Sequence, residues 1–137
     1  MKARVLIYPE NQKKLSLLSG VLCAKLDCKA DKIPPGYNCE NEKLVIIGVK
    51  LGKDAPDDLA RFCKALNKSR AQNVAFYYDA PKNVVDELMN NVREAGVNVI
   101  SPALPCKTGG LPFLAKLTPE EKAEFESWLE KITAELK

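Results

Sequence analysis

The chain contains no histidine, no C-x-x-C pair, no G-x-G-x-x-G run and no basic block. Each absence removes a class of chemistry. Without histidine there is no side chain of ordinary pKa near neutrality to serve as general base, so Ser-His and Cys-His nucleophile arrangements are excluded. The five cysteines, Cys23, Cys28, Cys39, Cys63 and Cys106, are odd in number and widely spaced, so no zinc-ligand spacing exists and no metal site is expected. They read as packed or half-packed thiols in a reducing, cytoplasmic setting. No apolar run approaches the roughly 20 residues that a bilayer crossing demands, and no membrane association is expected. The start, Met1-Lys2-Ala3-Arg4-Val5-Leu6-Ile7-Tyr8-Pro9, is too short in apolar length for a signal peptide and reads as a first strand.

What is present belongs to an ordinary globular chain. Its 137 residues suit a single domain, residues 1–137, with 46% hydrophobic and 28% charged residues. The net charge of +3 comes from lysines and arginines spread through every segment. No basic stripe interleaved with aromatics appears, so nucleic acid is not an expected partner.

Short apolar runs alternate with helix-period segments, the pattern of a parallel sheet covered on both faces. Val5-Leu6-Ile7-Tyr8 is the first strand. Leu15, Leu18, Val21, Leu22 and Leu26 then fall at spacings of three and four, forming one face of a helix. Cys28 to Ala30 reads as a weak edge strand, followed by a Pro34-Pro35-Gly36 loop. Leu44-Val45-Ile46-Ile47-Gly48 is β-branched on both faces, as a central parallel strand requires. Asp54-Ala55-Pro56 opens a helix bearing Leu59, Phe62, Cys63 and Leu66. Asn73 to Tyr78 is a strand, and Asp79-Ala80-Pro81 opens the next helix, which buries Val84, Val85, Leu88 and Val92 and stops at Gly96. Val97 to Ile100 is the last strand. Ser101 to Leu117, with three prolines and Gly109-Gly110, reads as a long structured loop. Thr118-Pro119-Glu120-Glu121 is a capping box before a helix with Phe125, Trp128, Leu129 and Ile132 on one face.

Read as five strands and five helices in alternation, the chain is expected to form an α/β, doubly wound, five-stranded parallel sheet in a three-layer sandwich. The strand order expected is 2-1-3-4-5. Parallel crossovers are right-handed, and ligands of such sheets sit outside the carboxyl ends of the strands at the switch point. The loops Pro9 to Lys14, Gly48 to Asp54, Tyr78 to Lys82 and Ser101 to Gly110 are the candidate site.

In layout the chain resembles the short-chain flavodoxins over nearly its full length. Leu44 to Gly48 followed by Lys53 and a helix is similar to that family's strand, flavin loop and helix. Ala95-Gly96-Val97, Cys106-Lys107-Thr108-Gly109-Gly110 and the last helix with Trp128 resemble the family's end. The resemblance implies FMN as cofactor, electron transfer as function and a redox protein as partner. Carried onto this chain, it places FMN-binding residues at Glu10, Asn11, Gln12, Lys13, Gly48, Val49, Leu51, Gly52, Tyr78, Asp79 and Cys106. Three departures accompany it. The phosphate-loop segment Tyr8-Pro9-Glu10-Asn11-Gln12-Lys13-Lys14 has no glycine, serine or threonine. The loop after the third strand lacks an aromatic, leaving Leu51 and Tyr78 to face the ring. The charge is positive where electron-transfer flavodoxins are acidic.

Rival α/β readings fail on residues. A receiver domain needs an acceptor aspartate where Gly48-Val49 stands and a lysine where Ser101-Pro102 stands, although Glu10 could serve as one of its acids. The interval from Cys63 to Arg70 is one residue too long for a cysteine-phosphatase loop and lies in a helix. Two functions therefore remain: an FMN electron carrier, and a flavodoxin-like scaffold that has lost FMN and binds a partner or regulates one. Cys106 beside Lys107 is the one thiol in the functional loop, where an exposed position would favour its thiolate.

Overall fold

The computed structural model describes residues 1–137. It contains β1 (Ala3–Tyr8), α1 (Lys13–Leu26), β2 (Ala30–Lys32), β3 (Glu42–Lys50), α2 (Asp57–Ala65), β4 (Ala71–Asp79), α3 (Lys82–Glu94), β5 (Asn98–Val99), β6 (Leu104–Pro105) and α4 (Pro119–Ala134). All strand pairs are parallel, in the order β2-β1-β3-β4-β5, with β6 also on β4. This is the strand order expected from the sequence.

The alternation of side chains along the central strands sorts the core into two layers. Leu6, Val45, Ile47, Val49, Val74 and Phe76 face α2 and α3. Val5, Ile7, Leu44, Ile46, Ala75 and Tyr77 face α1 and α4. Because β1, β3 and β4 are covered on both sides, nearly every residue along them is apolar, as parallel strands must be.

Three expectations are corrected. There are four α-helices rather than five, because the crossover from β2 to β3 has no helix. Its segment holds Pro34, Pro35 and Gly36 and has only Ile33 and Cys39 to bury, so it crosses the sheet as a loop. Arg4 pins it by donating to the Tyr37 carbonyl at 2.6 Å and to Asp31 at 3.2 Å. The edge strand β2 lies at Ala30–Lys32, two residues later than Cys28 to Ala30, since the end of α1 occupies the first of those positions.

The last strand is also split. Asn98 pairs with Asn73 but Leu104 with Tyr77, so the edge gains two residues relative to β4 between these points. Ile100 N–H still donates to the Val74 carbonyl at 2.9 Å, and Cys106 N–H to the Tyr78 carbonyl at 2.7 Å. The extra residues bulge outward at Ser101 and Pro102, where proline has no N–H to offer a ladder. Ser101 to Leu117 is therefore not all loop, because strand pairing resumes at Leu104.

One residue binds the α1–α4 layer to the sheet. The Tyr77 ring lies on Gly48 of β3 so closely that a Cβ there would stand 2.1 Å from the ring carbon bearing the hydroxyl. The ring meets Phe125 and Trp128 edge-on at centroid distances of 5.2 and 6.4 Å, and its hydroxyl donates to the Leu15 carbonyl at 3.2 Å. Gly48→Ala is expected to cost about 1–3 kcal/mol through overpacking. Gly20, exposed within α1 and with nothing near its Cβ position, should respond oppositely: Gly20→Ala should gain about 0.5–1 kcal/mol. Urea unfolding midpoints at unchanged slope check both signs.

Candidate functional site

The carboxyl ends of the strands, Tyr8, Lys50, Asp79 and Pro105, deliver their following segments to one rim. At the start of α1, Gln12 is the cap: its side-chain oxygen accepts from Leu15 N–H at 2.9 Å. Its amide nitrogen donates to the Thr108 carbonyl at 3.2 Å. One amide thus caps the helix and holds the Thr108 loop against it.

Thr108 is buried at the centre of the rim. Its N–H and hydroxyl both donate to one Asp79 oxygen, at 2.9 and 2.7 Å, and Lys50 approaches the same oxygen at 3.3 Å. Burial pushes the Asp79 carboxyl up, but the Thr108 bonds and Lys50 outweigh it and hold the group below its ordinary value. Asp79 was expected at the mouth of a helix. Instead neither Asp54 nor Asp79 caps its helix; Pro56 and Pro81 occupy those positions without side-chain caps.

A second tie crosses from α1 to α4. Lys14 donates to Glu121 and to the Lys116 carbonyl, both at 2.8 Å. Glu121 completes the capping box with Thr118, as the sequence predicts. Burial raises the Glu121 carboxyl, yet Lys14 and Thr118 bring it below the ordinary carboxylate range.

Cys106 sits half-buried between these groups. Burial first, then the charges of Asp79 and Glu121, push its thiol up to about 12, with Lys14 the opposing cation. The expected effect of Lys107 is not realised, because that side chain is exposed while the thiol turns inward among carboxylates. Burial and the neighbouring carboxylates thus disfavour the Cys106 thiolate.

The remaining candidates divide. Glu10, Asn11 and Lys13 form an exposed turn at the β1 end. Gly48 and Val49 are not loop residues: β3 continues to Lys50, Val49 is fully buried, and Gly48 lies under Tyr77. Leu51 is buried in the α2–α3 layer and Gly52 is exposed beside it. Tyr78 turns to the α3 side, lining a groove of about 300 Å³ with Lys82, Met89, Arg93 and Ala103. Gln12, Asp79 and Cys106 are therefore the candidates brought together; Thr108, Lys14 and Lys50 lie in the expected loops without having been singled out as binding residues, and Glu121 lies outside them. Thr108 stands inside the Cys106 to Gly110 run, but nothing in its spacing points to Asp79.

FMN is the cofactor that the resemblance in sequence layout implies. A phosphate at the start of α1 would need unspent N–H and hydroxyl donors and an unpaired cation. Pro9 has no N–H, Gln12 and Thr108 spend theirs internally and Lys14 is held by Glu121, which leaves the exposed Lys13 as the cation of this turn. The carboxylates of Asp79 and Glu121 face the same space. The centre of the rim, with its donors spent and two carboxylates close by, is a poor fit for the phosphate of FMN.

Beyond the rim, the chain from Gly109 to Leu117 leaves Leu111, Phe113 and Leu114 exposed, with Phe113 at 80%. This turn has Lys107 and Lys116 on its flanks and no acidic residue from Ser101 to Thr118.

The architecture, strand order and two-faced core define a flavodoxin-like α/β sandwich. No protein-family model matches the chain, and no curated protein matches it. Among solved structures it is similar to the crystal structure of diflavin flavoprotein A3 from Nostoc sp., with a TM-score of 0.50 and 15% sequence identity. The similarity covers 98% of this chain and 97% of that one, and at this identity it concerns the fold.

Thr108→Val should destabilise the protein by about 1–2 kcal/mol at neutral pH, the scale of a hydrogen bond to a partly shielded carboxylate. Asp79 has a depressed native pKa, so this contribution is complete above its unfolded value of about 3.9 and fades as pH falls through the native one. The two unfolding midpoints should converge in acid, and a constant gap down to the lowest pH would refute the assignment.

Proposed function

We propose that this chain is a non-enzymatic binding module on a flavodoxin-like scaffold, with its phosphate site closed by its own loop. The observation that carries the reading is the bridge Asp79–Thr108–Gln12. The hydroxyl, amide and backbone groups that would receive a phosphate are already bonded to one another across the rim. Breaking three bonds and bringing a dianion beside two carboxylates opposes cofactor entry twice over, by lost hydrogen bonds and by charge. In this reading the chain is a degenerate relative of the short-chain flavodoxins, and the exposed Leu111, Phe113 and Leu114 are its contact face. An apolar turn flanked by lysines suits a protein partner with an apolar cleft and an acidic margin.

The second reading, an FMN electron carrier with a redox partner, is favoured by the similarity in fold to a diflavin flavoprotein. One titration separates them. Purified protein is expected to be colourless, to leave FMN fluorescence unquenched at micromolar concentration, and to keep its melting temperature in excess FMN. Stoichiometric quenching with a rise in melting temperature would overturn the closed-site reading and support the carrier.

A further inference from the structure

The end of α1 carries a feature that the rim does not use. Asp27 adopts the left-handed conformation, φ 54°, and stops the helix. Immediately after it, Cys28 N–H donates to the Cys23 carbonyl at 3.2 Å, the six-to-one bond of a Schellman turn. That turn brings together the side chains of the two residues whose backbones it joins, a contact normally made by two apolar groups. Here both positions are cysteine. The turn sets the two thiols side by side, each half-buried against the α1–α4 layer and each keeping part of its surface in solvent.

We propose that Cys23 and Cys28 form a dithiol site that is oxidised reversibly to an intramolecular disulfide by small-molecule disulfides. The chemistry closes in two exchanges. The Cys28 thiolate attacks one sulfur of the disulfide RSSR, forming a mixed Cys28–S–S–R bond and releasing RS⁻, which takes up the proton lost from Cys28. The Cys23 thiolate then attacks the Cys28 sulfur and displaces the second RS⁻, which leaves as RSH. Two protein thiols are oxidised and one RSSR is reduced to two RSH.

The environment assigns the order. Burial raises both thiols. Cys28 has the contact with Cys23, the Val5 N–H and the Arg4 charge working to lower it, against Asp27. Cys23 is pushed up to about 12 by burial and then by Cys28 itself, with no opposing cation. Cys28 is the attacking thiol and Cys23 the resolving one. The other cysteines lack such an arrangement: Cys39 and Cys63 are buried, and Cys106 is held among carboxylates.

The test uses the whole native chain incubated with oxidised glutathione. The expected product has lost two hydrogens in mass, two of its five thiols no longer react when counted after quenching and denaturation, and proteolytic peptides join Cys23 to Cys28. Dithiothreitol should restore all five. Because the thiolate is the attacking species and burial raises both thiols, the rate should rise about tenfold per pH unit from neutral toward mildly alkaline conditions. Cys23→Ser should stop at a stable mixed disulfide on Cys28, whereas Cys106→Ser should oxidise like the parent. A crosslink between other cysteines, a mixed disulfide that persists in the parent chain, or five reactive thiols after prolonged incubation would each overturn the proposal. Unchanged circular dichroism during the reaction ensures that the folded chain is the one read, and mapping the parent requires no variant to fold.

Discussion

The contact between the Tyr77 ring and Gly48 fixes the relation of the α1–α4 layer to the sheet. A tyrosine in the middle of a doubly covered strand must find room for its ring and a partner for its hydroxyl. Gly48 supplies the room, since no other residue leaves the adjacent strand position empty, and the Leu15 carbonyl in α1 supplies the partner. Phe125 and Trp128 then close over the ring from α4. Four elements thereby share one side chain, and the helices that start at the rim are held at fixed height above the strand ends.

That fixed height lets the rim close. With α1 and α4 both seated on Tyr77, Lys14 lies within reach of Glu121, and Gln12 within reach of the loop that follows β6. The split in the last strand contributes as well. By resuming pairing at Leu104, the chain returns to β4 just before Cys106 and sends Thr108 inward onto Asp79 rather than out to solvent. Each polar group introduced into the rim is matched: Thr108 N–H and hydroxyl to Asp79, Gln12 to Leu15 and Thr108, and Lys14 to Glu121. Such matching relieves the desolvation cost that would fall on any of them alone. It also commits the side-chain donors of Gln12 and Thr108 and the Lys14 ammonium before any anion arrives.

The fold was legible because it depends on local pattern. The apolar run from Leu44 to Ile47, the spacing of Leu15, Leu18 and Leu22, the stop at Gly96 and the Thr118 capping box are each written in a few adjacent residues, and each is found where expected. Parallel strand order follows from alternation plus handedness. The rim was legible only in part. Position along the chain brings Gln12, Asp79 and Cys106 to one place, but whether a donor there is free or spent depends on partners 29 to 107 residues away. No spacing rule reports such pairings. The missing helix and the split strand were obscured for another reason: prolines mark where regular structure stops but not whether the chain resumes pairing afterwards, as it does at Leu104.

The two ends of α1 illustrate how local chemistry can differ on one rigid element. The helix runs from Lys13 to Leu26, about 21 Å at 1.5 Å per residue. Its first turn is committed to the rim through Gln12 and Lys14, and its last to the paired thiols. A disulfide between Cys23 and Cys28 would bridge residues already joined by a backbone bond, so it stiffens one turn and need not move the helix axis. Oxidation at that end and anion capture at the other are thus separable properties. A protein that failed to form the disulfide would still have a closed rim, and one that took up FMN would still present two thiols in contact.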